Sequence, residues 1–539
     1  MPPHDAGDQI PDSARPDSAR PDSARPDSAR PDSARPDSDD RSADRPRTGG
    51  GHATRRTLLV GAGGIALGAT GSWAAIHAED DSADSSSDEG TTPTVLHYRS
   101  TAATAAQVTV TRLAPGELDA GLLFATPKLD DVFRGVIYDA DGEPVWIAPD
   151  GGTATDLRVQ TYRGEPVLTY WTGLVATGNG QGRGVILDRS YRQIASVRCG
   201  NGLLADLHEF ELTDAGTALL TSYPSVSRDL TGIGGPADGW IFDCHVQEID
   251  VATGAVLLDW TASDHIELTE SYQEVGDTVT ADDPYDAFHI NAVSADTDHT
   301  LLVSARHTHT VYSLDRDSGR VRWRMGGKRS DFEIADDATF LWQHHARRRS
   351  ATTFSVFDNH TDSTTGSSRG LVLAADEDAK TVTLSAEYTR SGMVSPTMGS
   401  VRPLGGGNVL VGWGYQPVIT EFAGDGTALW EVSGLGVSCY RAAKHAWTGT
   451  PSTDPDIAVT ATEAGGLQVS ASWNGATEVA GWRVLGGRSR KRMRQLTTVR
   501  RTGFETDIDV DSRPWIRVEA LDSDGQVLGR SRAVGAPSA

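Results

Sequence analysis

Three stretches decide the fold of this chain: HEFELTDAGTALLTSY (208–223), HINAVSADTDHTLLVSAR (289–306) and HHARRRSATTFSVFDNH (344–360). Each opens on a histidine, crosses a short polar turn, and resumes about ten residues on as an apolar strand. Such strand–turn–strand units, recurring in one chain, are the mark of a repeat architecture. Repeats stacked around a common axis carry equivalent positions to equivalent places. His208, His289 and His344 are therefore expected to converge on one spot, although they lie far apart in sequence.

A second repeat runs between these hairpins. It is an apolar strand, a turn of Asp and Gly or small residues, and a strand ending on an aromatic or β-branched residue. The copies are IYDADGEPVW (137–146), ILDRSYRQIASV (186–197), QEIDVATGAVLLDW (247–260), YSLDRDSGRVRW (312–323), LAADEDAKTVTLSAEY (373–388) and ITEFAGDGTALW (419–430). Six copies at intervals of roughly 40 to 65 residues match four-stranded propeller blades. TYRGEPVLTYW (161–171) and MGSVRPLGGGNVLVGWG (398–414) repeat the inner hairpin without the leading histidine. The expected fold is all-β: a six-bladed β-propeller over residues 95–450. A pair of β-sandwiches is the competing arrangement.

The flanks read differently. Residues 1–53 carry five PDSAR repeats, and proline at every fifth position with nothing apolar to bury predicts disorder. Arg55 and Arg56 precede a Gly- and Ala-rich apolar stretch reaching Ala78, the pattern of a twin-arginine export signal over 54–78. Left uncleaved, that segment would anchor the chain in a membrane. Its glycines belong to the signal and do not form a nucleotide loop, since no strand precedes them. Residues 79–94 form an acidic linker. Residues 451–539 alternate as short strands around Trp473, Trp482 and Trp515, as in a small immunoglobulin or fibronectin type III-like sandwich. The basic run SRKRMRQLTTVRR (489–501) reads as a solvated loop.

Composition narrows the function. A net charge of −25 argues against nucleic-acid binding, and three cysteines (Cys199, Cys244, Cys439) do not make a disulfide framework. An anionic substrate must then be held by local positive groups. Asn291 follows His289 by two residues, on the same face of a regular strand, and Arg306 ends the returning strand of that hairpin. Histidines can attack and shuttle protons, arginine forks onto sulfate or phosphate oxygens, and asparagine donates where charge develops. No cofactor or metal is required by this set. A zinc-type site on the three histidines is the first alternative, weakened by the missing carboxylate in register and by the nearby Arg306. A non-catalytic surface-binding propeller is the second. Each residue also has a plainer reading: His208 as a strand cap, Arg306 in an ion pair with Asp286 or Asp315, Asn291 in a turn. Asp358 and Asn359, at the end of an inner hairpin, are placed to orient a histidine.

LHEFELTDAGTALL, VQEIDVATGAVLLDW, DAFHINAV, LLVSARHTHTVYSLDRDSGRVRWRMGG and FLWQHHARRRSATTFSVFDNH together resemble the bacterial arylsulfotransferases of propeller fold, over residues of about 113–445. The resemblance implies sulfuryl transfer from a phenolic sulfate donor to a phenol acceptor through a sulfohistidine, without a nucleotide sulfate donor. It implies His344 as nucleophile and His208, His289, Asn291 and Arg306 as its support. The chain departs from the pattern at His345, where Asp is common, and at Ala292, where Ser is common. His345 is expected on the opposite strand face, in packing or at the rim.

Export by the twin-arginine machinery is expected to place the protein outside the cytoplasm, extracellular or at the cell surface. Replacing Arg55 and Arg56 with lysine should hold it in the cytoplasm, as cell fractionation would show; unchanged export would defeat the signal assignment.

Overall fold

The computed structural model describes residues 93–149, 152–176, 178–296, 299–360 and 367–537. The PDSAR repeats, the twin-arginine segment and almost all of the acidic linker lie outside them. The chain is all-β, and among the described residues its helical elements are four 3-10 turns of three residues each. No helix among these residues is long and apolar enough to cross a membrane.

Six sheets of four or five strands follow one another along residues 109–445, beside two short two-stranded ones. The first runs from Thr155–Tyr162 outward to Gln193–Val197, the second from Phe210–Leu212 to Val256–Thr261, and the third from Ile290–Ala295 to Val321–Gly326. The fourth runs from His344–Arg348 to Thr381–Thr389 and the fifth from Ser400–Pro403 to Ala428–Ser433. The sixth is composite: Ala443–His445 supplies its first strand, and Leu122–Ala125, Val136–Tyr138 and Pro144–Ile147 supply the rest. The N-terminal strand Thr109–Arg112 in turn pairs with Ala428–Ser433 at the edge of the fifth sheet. Both ends of the region are thus stitched into sheets begun by the other.

The hydrophobic core is divided into clusters that sit between successive sheets. Phe210 and Ile186 join the first to the second, and Val246 and Val303 the second to the third. Val311 and Phe354 join the third to the fourth, and Tyr388 and Val411 the fourth to the fifth. Trp430 and Tyr138 join the fifth to the sixth. Phe124 and Leu168 join the sixth back to the first. Neighbouring residues on one strand serve opposite neighbours: Leu301 and Val303 pack toward the second sheet, Leu302 toward the fourth. Strands buried on both faces explain the unbroken apolar runs LLVS and ALL. The last residues of the six outer repeats, Trp146, Val197, Trp260, Trp323, Tyr388 and Trp430, are all buried in these seams.

Each outer hairpin turns on an aspartate. The carboxylates of Asp139, Asp188, Asp250, Asp315, Asp376 and Asp425 accept backbone N–H groups two or three residues ahead, at 2.7–3.0 Å. That is the Asx geometry that makes aspartate the recurrent residue there.

Beyond residue 450 two further sheets share one core around Trp482, Val469, Val484, Ile516 and Val518. The basic run is no loop: it belongs to the hairpin Gly481–Ser489 and Arg492–Arg500. All three cysteines are unpaired. The two-sheet unit packs on the six sheets at named contacts. Phe504 enters the cluster between the fifth and sixth sheets and lies 4.5 Å from the Tyr98 ring. Asn474 receives the Ile147 N–H and donates to its carbonyl, both at 2.8 Å.

Asn474→Ala would strip both partners from the buried Ile147 backbone. We expect a stability loss of about 2 kcal/mol in urea denaturation; an unchanged midpoint would mean that the apolar contacts alone hold the unit in place.

Candidate active site

The inner strand of each sheet enters at the same end, and the residues just before it gather there. His208 precedes Phe210–Leu212, His289 precedes Ile290–Ala295, and His344 opens His344–Arg348. The His208 and His289 rings are 4.8 Å apart between centroids, and those of His289 and His344 6.4 Å. Two of the three sheets without a leading histidine contribute Met398 and Tyr440: the Met398 N–H points at His344 Nε2 (3.3 Å), and the Tyr440 hydroxyl donates to the His208 carbonyl (3.1 Å). His208 also stacks on Tyr223.

The partner of Nδ1 differs among the three. His208 Nδ1 meets Asp206 and His289 Nδ1 meets Asp286, each at 2.6 Å. These carboxylates overturn the expectation that none stands in register; each comes from the chain immediately before its histidine, where an Asp-x-His and an Asp-x-x-His spacing announce it. Burial alone would raise both carboxyls, but the histidines and the donated hydrogen bonds outweigh it and hold them below the usual carboxylate range. His344 Nδ1 meets an amide instead, Asn359 Oδ1 at 2.7 Å. The Asn359 amide cannot be turned round, because its Nδ2 donates to the carbonyls of Ser395 (2.7 Å) and Met398 (3.0 Å). Its oxygen must therefore accept, so His344 carries its proton on Nδ1 and its lone pair on Nε2. Burial, then Arg306 and His289, hold the His344 pKa well below the ordinary histidine value.

Arg306 closes the other side. Its Nη1 donates to His307 Nε2 (2.8 Å), its Nη2 to the Pro396 carbonyl (3.1 Å), and its guanidinium lies 4.7 Å over the Trp342 ring. Asp315 pairs with Arg322, and Asp286 with His289 and His307. His307 and His309, which the sequence reading left unassigned in ARHTHT, belong to this wall. His307 is 4.8 Å from His289, and His309 stacks on Tyr272 at 4.0 Å and abuts Trp342. Burial, reinforced by Arg306, pushes both down to about 3.

Asn291 is placed differently from the regular-strand expectation. The register slips between Ile290 and Ala292, and His289 stands at φ +50°. Asn291 is fully buried, donates to the Gln343 carbonyl (2.7 Å), and its own carbonyl accepts from Arg441 (2.7 Å). It ties the third sheet to the residue before His344. His345 is not at the rim: it is wholly buried, at φ +54°, and its charged neighbours are Arg402, Arg347, Arg441 and Arg349. Trp342 (φ +55°), His309 (φ +49°) and Met398 (φ +63°) share the left-handed backbone. Such non-glycine conformations cost of order 1–3 kcal/mol each and persist where function needs the side chain aimed.

Among the described residues, Asp286, His289 and His307 hold potential metal-ligand atoms within 4.8 Å of one another. Asp286 and His289 are engaged with each other, and Arg306 sits on the third group, His307. A cation already fills that corner, and a divalent ion would meet it at close range.

The chain belongs to the arylsulfotransferase (ASST) family, whose profile matches residues 158–434. No curated protein matches the chain. Among solved structures it is similar to a protein of unknown function from Bacteroides caccae (11% identity, 60% of this chain and 98% of that one, TM-score 0.36). It is also similar to the periplasmic gluconolactonase PpgL of Pseudomonas aeruginosa (13%, 78% and 97%, TM-score 0.34). A third similarity is to the Cps50 (Swd1) β-propeller domain of Myceliophteria thermophila (10%, 71% and 97%, TM-score 0.33).

The buried neutral histidines set a pH dependence. In the unfolded chain His307, His309 and His445 take a proton near pH 6.5; in the folded one they resist it down to about 3. The unfolded state therefore binds more protons below about pH 6.5, and stability must fall as pH drops. Urea midpoints should decline between pH 7.5 and 5.5, before carboxylates titrate. A flat profile would mean these histidines take up protons in the fold.

Proposed function

We propose that the protein is an exported aryl-sulfate sulfotransferase built as a six-bladed β-propeller with a fibronectin type III-like module. The observation that carries this reading is the Nδ1 partner of each histidine. A neutral amide leaves His344 an uncharged imidazole whose Nε2 lone pair attacks once it gives up the Met398 N–H (3.3 Å); the carboxylates of Asp206 and Asp286 orient His208 and His289 through Nδ1, and at His289 burial outweighs Asp286 and lowers the pKa.

In the first half-reaction His344 Nε2 attacks sulfur, an N–S bond forms, and the S–O bond to the donor's aryl oxygen breaks. The departing phenolate takes a proton, where its basicity demands one, from one of the two Asp-paired histidines, which regains it from the acceptor phenol. Arg306 lowers the energy of the charge on the sulfuryl oxygens. In the second half-reaction the acceptor's phenolic oxygen attacks the same sulfur, the N–S bond breaks, and the phenol's proton passes to His208 or His289. Asn291 acts as a positioning residue through Gln343 and the strand that carries His344. The reaction needs no metal and no nucleotide.

Mixing the protein with 4-nitrophenyl sulfate should release nitrophenolate in a burst without acceptor, with a sulfuryl adduct on His344 by mass spectrometry. This leaving group needs no proton, so the burst reports the nucleophile alone. Because the His344 pKa is lowered, the burst should hold at pH 6, where an ordinary histidine is mostly protonated. His344→Asn should abolish burst and adduct. An adduct on another histidine would reassign the nucleophile, and no adduct with any aryl sulfate would reject the mechanism.

A further inference from the structure

Behind the histidines, the inner strands carry a second buried group that sulfuryl transfer does not use. Glu209, the residue after His208, is fully buried and bound to three arginines: Arg158 (3.1 Å), Arg441 (3.3 Å) and Arg347. Asp156 binds Arg441 (3.0 Å), Arg158 (3.4 Å) and Arg402 (3.4 Å), and Glu211 binds Arg347 (3.4 Å) and Arg158 (3.9 Å). Four guanidiniums thus share three carboxylates. Arginine does not shed its proton in proteins, so the surplus is a fixed charge. Arg402 has the weakest share: its Nε donates to the Ala442 carbonyl (2.8 Å), and its one carboxylate, Asp156, is divided among three arginines.

His345 faces this surplus. It is 0% exposed, and neither ring nitrogen has a hydrogen-bond partner among the described residues. A buried imidazole without partners loses free energy of about 1–3 kcal/mol per group. The strongest charges acting on it are those of Arg402, Arg347, Arg441 and Arg349. A buried N–H donor next to an uncompensated guanidinium is the chemistry that binds an anion.

We propose that a small monovalent inorganic anion, of the chloride class, binds on the propeller axis between His345 and Arg402. It neutralises the single surplus charge and accepts the His345 N–H. Monovalence follows from the count within the buried lattice, Arg349 being exposed to solvent: a divalent oxyanion would replace a surplus positive charge by a surplus negative one. Arg349, an exposed residue, turns its guanidinium to Ser355 and the Val401 carbonyl. The anion's role is structural, holding together the inner ends of the first, fourth, fifth and sixth sheets, whose arginines otherwise repel.

The test uses the full protein and does not depend on the sulfotransferase reading, since it measures stability and density. At constant ionic strength, thermal unfolding in gluconate is compared with chloride and bromide. A saturable rise of a few degrees with either halide is expected. His345→Asp places a carboxylate where the anion sits, and should unfold at the halide-saturated temperature with no halide response. Arg402→Gln removes the surplus and should also lose the response. Bromide-soaked crystals of the unaltered protein should give an anomalous peak within hydrogen-bond reach of His345 and Arg402. Absence of that peak overturns the proposal, as does a halide response unchanged in both variants. A rise with sulfate but not with halide overturns the monovalent assignment.

Discussion

Everything in this protein hangs on strands buried on both faces. A sheet with one solvated face can end anywhere; these six sheets cannot, because each offers apolar residues to the sheet before and the sheet after. The geometry is satisfied only by returning to the start, and the chain does so with two short pairings, Ala443–His445 on Leu122–Ala125 and Thr109–Arg112 on Ala428–Ser433. The first also brings Tyr440 and Arg441 to the axis, so closure and the site share one segment.

Around that axis the structure separates two kinds of chemistry by a single residue step. His208 and His344 face the mouth, with His289 and Arg306. Glu209 and His345, their immediate neighbours in sequence, face the arginine lattice behind it. Within the mouth, three chemically identical side chains are made unequal by what stands at Nδ1. Aspartate stands there twice and asparagine once. The left-handed residues His289, Trp342, His345 and Met398 show that aiming these groups strains the backbone, and the buried seams between sheets supply the stability that offsets it.

Much of this was legible in the sequence. The six outer repeats, their aspartate turns and the register of the three histidines are periodic features, and periodicity survives folding because every copy meets the same surroundings. The convergence of His208, His289 and His344 follows from that alone, and Arg306 from the return of its hairpin. Asp206 and Asp286 lay within three residues of their histidines and were readable as local pairs.

Other features depended on residues distant in sequence, or on departures from regular strand geometry that no pattern shows. Asn291 left its expected face because the strand slips by one residue at Ile290. The His344 tautomer depends on Asn359 being locked by carbonyls of Ser395 and Met398 from the next sheet. His345, expected in packing or at the rim, is wholly buried, among arginines contributed by three separate sheets. Sequence determined which positions repeat, since that is a property of spacing. Tertiary structure alone decided which charges meet and which donors remain unpaired, since burial and electrostatics act through space rather than along the chain.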